Sequence, residues 1–172
     1  EYALNAIQLR CSGYLMKPIT PEAVQKEIDH IKSKNPNVSL LDVKCFGNFE
    51  VLKNGEALNF KRTKAKELFA VLVDRNGGVV NTEQAISVLW EGRRYDETVQ
   101  SLFRKVLKSL RASLEEAGVL DILVDNRNQR SIDKSKFACD YYDFLENGKT
   151  ENTKYFGKYM EQYDWAKATE KQ

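Results

Sequence analysis

Residues 96–118, DETVQSLFRKVLKSLRASLEEAG, decide how the rest of the chain is read. Val99, Leu102, Phe103, Val106, Leu107, Leu110 and Leu114 recur at helical spacing, which predicts one long helix with a single apolar stripe. Ser101, Arg104, Lys105, Lys108 and Arg111 recur at the same spacing on another face. No acid stands between Ser101 and Arg111; Glu115 and Glu116 come only after the cationic part. A helix that is apolar on one side and cationic on the other has one face to bury and one to bind. The plain alternative is a solvated surface helix, and the flanking sequence has to choose between the two.

Before that helix, residues 42–54 alternate loosely, with Val43, Cys45, Phe49 and Val51 apolar and Gly47-Asn48 as a turn. Asn54-Gly55 is a strong two-residue hairpin signal, and Leu58 and Phe60 continue at period two. Short antiparallel strands are expected. Lys61-Arg62-Thr63-Lys64 leads into a first helix, with Thr63 as N-cap and Leu68, Phe69, Val71 and Leu72 as its apolar face; Asn76-Gly77-Gly78 ends it. Val79-Val80 is a very short strand. Asn81 or Thr82 caps a second helix, whose Ala85, Ile86, Leu89 and Trp90 point inward. Glu91 to Tyr95 is a polar loop carrying Arg93 and Arg94. After the long helix, Ile122-Leu123-Val124 predicts a strand, residues 125–129 a turn, and Arg130-Ser131-Ile132 the returning strand.

A strand set, three helices and a C-terminal hairpin, carried by CFGNFEVLKNGEALNFKRTKAKELFAVLVDRNGGVVNTEQAISVLW, LFRKVLKSLRASL and ILVDNRNQRSID, resemble the winged helix-turn-helix of OmpR-type DNA-binding domains. The version in SARP-like transcriptional activators is nearest. The resemblance spans residues 42–133 and implies an α+β unit with an N-terminal antiparallel sheet. It also implies that the third helix enters the major groove of duplex DNA and that the hairpin wing lies along the minor groove or backbone. Carried over by position, Gln100, Ser101, Arg104, Lys105, Lys108 and Arg111 fall on the exposed side of the recognition helix, with Arg104, Lys105 and Lys108 in the groove and Arg111 on phosphate. Arginine can read guanine through a bidentate fork, whereas lysine mostly finds phosphate. Arg127 and Arg130 are the wing candidates. Lys61, Arg62, Thr63 and Lys64 would hold phosphate at a helix N-terminus. Arg93 and Arg94 lie in the loop that touches RNA polymerase in OmpR-type proteins, and stay open between DNA and polymerase. Trp90 is read as core, with a DNA-backbone contact as its alternative.

Residues 1–34 predict a helix over 2–9, a short strand at Tyr14-Leu15-Met16 ending at Lys17-Pro18, and a helix capped by Thr20 with Pro21 in its first turn. YALNAIQLRCSGYLMKPITPEAVQKEI resembles the last third of a response-regulator receiver, a flavodoxin-like α/β domain. The resemblance implies that Lys17 is the phosphorylation-site lysine, that a sensor histidine kinase is the partner of the intact receiver, and that this helix-strand-helix segment forms a homodimer. The family's acidic pair and phosphoacceptor aspartate would lie before Glu1, so this stretch alone is not expected to be phosphorylated. Since the chain opens on Glu1 rather than Met, it reads as a piece of a longer protein. Residues 35–41 read as a polar linker.

Residues 134–172 predict a helical pair, one helix over 139–145 ended by Asn147-Gly148 and a second through Tyr155, Phe156, Tyr159, Met160 and Tyr163 to Trp165. ACDYYDFLEN and KYFGKYMEQYDWA resemble the start of the bacterial transcriptional activation domain of SARP-like proteins. A single pair cannot build a solenoid, so it is expected to pack back through Tyr141, Phe144, Tyr159 and Trp165.

Composition limits the remaining possibilities. A net charge of +2 over 172 residues means that nucleic-acid binding must come from clustered rather than bulk charge. No apolar run approaches a membrane span, and a cytoplasmic location is expected. Cys11, Cys45 and Cys139 are odd in number and far apart, which fits reduced thiols; with His30 the single histidine, no zinc site is expected. There is no nucleophile–base pair, glycine-rich phosphate loop or metal-ligand spacing, so neither an enzymatic activity nor a cofactor is expected. The expected function is a sequence-specific DNA-binding transcription regulator, the output part of a phosphorelay. The alternative is a winged-helix interaction module meeting an acidic partner or polymerase.

Overall fold

The computed structural model describes residues 20–21, 41–148 and 158–168. The chain divides into two units, Glu1–Val38 and Ser39–Gln172. In the first, Pro21 is helical and Thr20 before it is not. The strand at residues 14–16, Lys17, Cys11, His30 and the segment expected to dimerise lie outside the described residues.

The second unit opens on β1 (Leu41–Lys44) and β2 (Glu50–Lys53), antiparallel with Val43 opposite Val51. Alternation sets their faces: Leu41, Val43 and Cys45 are fully buried, while Asp42 and Lys44 are exposed. Asn54 and Gly55 both take positive φ, 52° and 85°, as a two-residue turn needs to join twisted strands. β3 (Glu56–Ala57) follows.

α1 (Thr63–Asp74) is the central helix. Residues 67–73 are buried without interruption, because α2 and α3 both pack on it and Phe49 meets Phe69 from the first sheet at 6.2 Å between ring centroids. Its cap differs from expectation. Arg62 is the N-cap and makes no side-chain cap bond, and Thr63 is already helical. β4 (Val80–Asn81) leads into α2 (Thr82–Leu89), where Asn81 accepts from the Gln84 amide at 2.8 Å and Gln84 answers on the Asn81 amide at 3.0 Å.

α3 (Glu97–Glu116) is the long helix. Asp96 caps it, accepting from the Val99 amide at 2.9 Å, and Gly118 leaves it at φ 68°. Val99, Phe103, Val106, Leu110 and Leu114 are buried, whereas Leu102 and Leu107 are half-buried at the edge of the stripe. Ile122, expected in a strand, closes a 3-10 turn (Leu120–Ile122) instead. β5 (Leu123–Asp125) and β6 (Gln129–Ile132) then form the hairpin, and β6 also pairs with β4. Three helices followed by this hairpin are the arrangement of a winged helix.

β7 (Ala138–Cys139) returns to lie parallel to β1, so one sheet runs β3-β2-β1-β7 and the other β4-β6-β5. α4 (Asp140–Asn147) follows and ends at Gly148, φ 68°. The second helix of the expected pair is absent over residues 158–163. Those residues run across the end of β1: Tyr159 bridges Phe46, the Met160 amide donates to the Cys45 carbonyl at 2.8 Å, and the Gly47 amide donates to Lys158 at 2.9 Å. The Gln162 side chain completes the pairing on both the N–H and the C=O of Phe49, at 2.8 and 3.1 Å. Backbone groups bonded across to β1 are not available for a helical ladder. Only a 3-10 helix, Asp164–Ala168, closes this stretch.

The aromatics of this region do pack back onto the unit. Phe46 sits edge-on to Tyr141, Phe144 and Tyr159, and Trp165 stacks on Tyr163 at 5.4 Å. Among the described residues, no helix is long and apolar enough to cross a membrane.

Candidate nucleic-acid interface

The cationic side of α3 stands where its apolar stripe requires. Burying Phe103, Val106 and Leu110 turns Arg104, Lys105 and Lys108 outward, and all three are exposed. Among the described residues, none of the three has an ion pair or a hydrogen bond. Gln100 and Ser101 are half-buried at the margin of this face. Cations left without acids on a helix opposite its packed side form a row able to meet polyanion.

Arg111 differs from its neighbours one turn back. Its guanidinium meets the Asp125 carboxylate at the end of β5, although half of the side chain remains exposed. A phosphate contact there has to compete with an existing ion pair.

Arg130 departs furthest from expectation. It is 7% exposed, at the base of the wing. Its Nη1 donates to the Thr82 hydroxyl at 2.5 Å, its guanidinium carbon stands 5.1 Å from the centroid of the Phe103 ring, and its Nε lies 3.2 Å from Asp125. The Nε approach to Asp125 is an ion pair off the hydrogen-bond direction, so Nε itself makes no hydrogen bond. Arg130 fastens β6 to the start of α2 and the middle of α3, which leaves little of its side chain at the surface for the wing contact expected of it. The signal was present in the sequence: in β6, Arg130 shares the parity of buried Ile132, while Ser131 takes the other face. Arg127, in the turn, is exposed and is the wing's free cation among the described residues.

Asp125 was not singled out in the sequence. It sits between two arginines with its side chain 8% exposed. Its pattern, one acid among Asn, Arg and Gln of a turn, gives no hint of this, because Arg111 and Arg130 reach it from different elements.

The basic run before α1 is mostly engaged. Lys61 pairs with Glu116, and Lys64 with Glu67 at 2.8 Å and the Leu89 carbonyl at 2.7 Å. Arg62 and Thr63 remain exposed. Trp90 is partly buried against the core at the end of α2. The loop after it is exposed throughout, with Arg93, Arg94 and Tyr95 at the surface.

Among the described residues, potential metal-ligating atoms gather at Cys45, Cys139 and Asp140, within 4.8 Å of one another. The Asp140 oxygens already accept from the Cys45 and Phe46 amides, at 2.8 and 3.2 Å. Burial pushes the Asp140 carboxyl up despite these bonds. This cluster belongs to the other sheet and has no part in the cationic face.

No family model matches the chain, and no curated protein sequence matches it. Among solved structures, Mycobacterium tuberculosis EmbR in complex with a low affinity phosphopeptide is similar, with a TM-score of 0.53 and 21% identity. The match covers 63% of this chain and 29% of the EmbR chain, so less than a third of EmbR's length is represented. At that identity the similarity is one of fold.

Proposed function

We propose that the unit from Ser39 onward binds duplex DNA in a sequence-specific manner as the output part of a transcription regulator. The observation that carries this reading is the row Arg104, Lys105 and Lys108, exposed and unpaired on α3, whose opposite face is sealed in the core. In this reading α3 lies in the major groove, Arg104 reads a base edge, and Lys105 and Lys108 take phosphates. Gln100 and Ser101 flank the contact, Arg127 lets the wing reach the backbone, and Arg62 and Thr63 add a phosphate contact at the start of α1. Arg111 joins once phosphate draws it from Asp125. The likeness in fold to part of EmbR supports the architecture, and the contacts rest on the residues themselves.

The receiver resemblance of residues 1–34 extends the proposal. Lys17 would serve the phosphorylation site of an intact receiver addressed by a sensor histidine kinase, and this segment would bring two copies together on adjacent half-sites. A second reading has its own observation. The exposed loop with Arg93, Arg94 and Tyr95 offers RNA polymerase or another acidic protein a surface separate from the α3 row.

The test is fluorescence anisotropy of the full chain on labelled duplex DNA across a salt series. If four cations each neutralise a phosphate, log K falls against log salt with a slope of roughly −3 to −4. Replacing Arg104 and Lys108 together by Ala should weaken binding more than about tenfold and, since only Lys108 of the two takes a phosphate, flatten the slope by about 1, with circular dichroism unchanged. Equal binding by wild type and double variant overturns the groove assignment and turns the search to the loop at 91–95.

A further inference from the structure

Cys45 and Cys139 are 94 positions apart in the chain, yet their sulfurs lie 3.6 Å from each other, both side chains buried. Cys45 stands just past the end of β1, and Cys139 lies in β7, the strand paired parallel to β1. We propose that this pair is a redox lock: a small-molecule disulfide oxidises the two thiols to one intramolecular disulfide, which staples the C-terminal segment to the first strand.

Three features of the fold favour the lock. The sulfurs are already in contact, and side-chain rotation has to bring them from 3.6 Å to about 2.05 Å. β7 is two residues long and lies at the edge of its sheet, so it can open without unpairing another strand. The segment around it is held to the end of β1 from both sides: Asp140 accepts from the Cys45 and Phe46 amides, and the Cys45 carbonyl accepts from Met160. A covalent bond would therefore fix a junction that is otherwise made of hydrogen bonds and rings.

The chemistry balances. The thiolate of one cysteine attacks the reagent disulfide and expels one reagent thiolate, leaving a mixed disulfide. The second cysteine's thiolate attacks the protein sulfur of that mixed disulfide and expels the other reagent thiolate. The two protein S–H protons end on the two reagent thiols, and the reagent has gained two electrons. Burial pushes the Cys45 thiol up and keeps it protonated in the closed fold, so attack begins when β7 opens.

The experiment uses the full chain with Cys11→Ser, so that only this pair can react. Protein equilibrated with graded mixtures of reduced and oxidised glutathione is quenched in acid, alkylated and mapped by peptide mass spectrometry. The expected product is a monomer lighter by two hydrogens, with Cys45 linked to Cys139. Its melting temperature should lie above that of the dithiol form by roughly 5–15 °C, because the cross-link spans nearly a hundred residues. Adding Cys139→Ser should abolish both changes; if that variant does not fold, the oxidised-against-reduced contrast decides alone. The proposal is overturned if both thiols alkylate after oxidation, if glutathione remains attached to either one, or if the linked form melts no higher than the reduced one. Protection that appears without oxidant and vanishes with a thiol-competing chelator would also overturn it, by showing a bound metal instead.

Discussion

The two sheets of the folded unit are held by different forces. In β3-β2-β1-β7 the chain's later segment is bound by rings, thiols and backbone pairs: Phe46 against Tyr141, Phe144 and Tyr159, Cys45 against Cys139, and Gln162 along Phe49. In β4-β6-β5 the fastening is ionic. Arg111 and Arg130 converge on Asp125, and Arg130 reaches on to Thr82 and Phe103. Apolar contacts carry no preference among outside partners and are not screened by salt, which suits a permanent closure. Charges can be shared with phosphate, which suits a sheet whose turn carries Arg127 beside a row of free cations on α3. The wing is thus set in position by the same class of interaction that it would offer to a ligand.

Substitutions can break this contrast. The largest effect is expected at Phe49, buried just before β2 between Phe69 and Tyr163. Phe49→Ala should cost about 3–5 kcal/mol in chemical denaturation, unchanged from low to high salt, since the loss is packing and a cavity. The next is Asp125→Ala, expected to cost about 3 kcal/mol because it leaves Arg130 buried beside no carboxylate. If that variant is as stable as wild type, the ionic account of the wing fails. In the same variant Arg111 is released, so weak binding to duplex DNA should rise even as the fold loosens.

The smallest effect sharpens the comparison through pH. Burial pushes the phenols of Tyr142, Tyr159 and Tyr163 well above their ordinary value of 10.0, and the Cys45 thiol above 9.0. Tyr142 donates to the Val73 carbonyl at 2.7 Å and Tyr159 to Asp74 at 3.0 Å, bonds that require the protonated phenol. Above pH 9 to 10 the unfolded chain gives up these protons while the folded one keeps them, so the folded state binds more protons and stability falls as pH rises. Melting temperature should therefore decline gradually from pH 9 upward, and Tyr159→Phe should shift the onset. A flat profile across that range would mean that the aromatic closure is open to water.

What was legible in the sequence follows from how far apart the deciding residues lie. The α3 stripe, the Asn81 cap, the Asn54-Gly55 turn and the Gly148 stop each depend on residues within one or two turns of one another. Local sterics and hydrogen bonding settle such features before any tertiary contact forms. The exposed row of Arg104, Lys105 and Lys108 was equally legible, because burying one side of a helix fixes the other.

Tertiary structure decided the rest. The aromatics at 155, 156, 159 and 163 have helical spacing, yet residues 158–163 run across the end of β1, because Cys45 to Gly47 offered backbone partners that the periodicity could not show. Parity set Arg130 on the face of Ile132, but the partners that hold it inside, Asp125, Thr82 and Phe103, come together only when the wing docks, while Arg127 stays outside in the turn. Cys45 and Cys139, which look like unrelated thiols, touch because β7 joins β1 after the whole winged helix has been threaded between them. Local chemistry therefore fixed the helices, the turns and the side of α3 that faces outward. Which charges were left free on that face, and which sulfurs met, depended on contacts whose partners are tens of residues apart and whose closure only the folded core makes favourable.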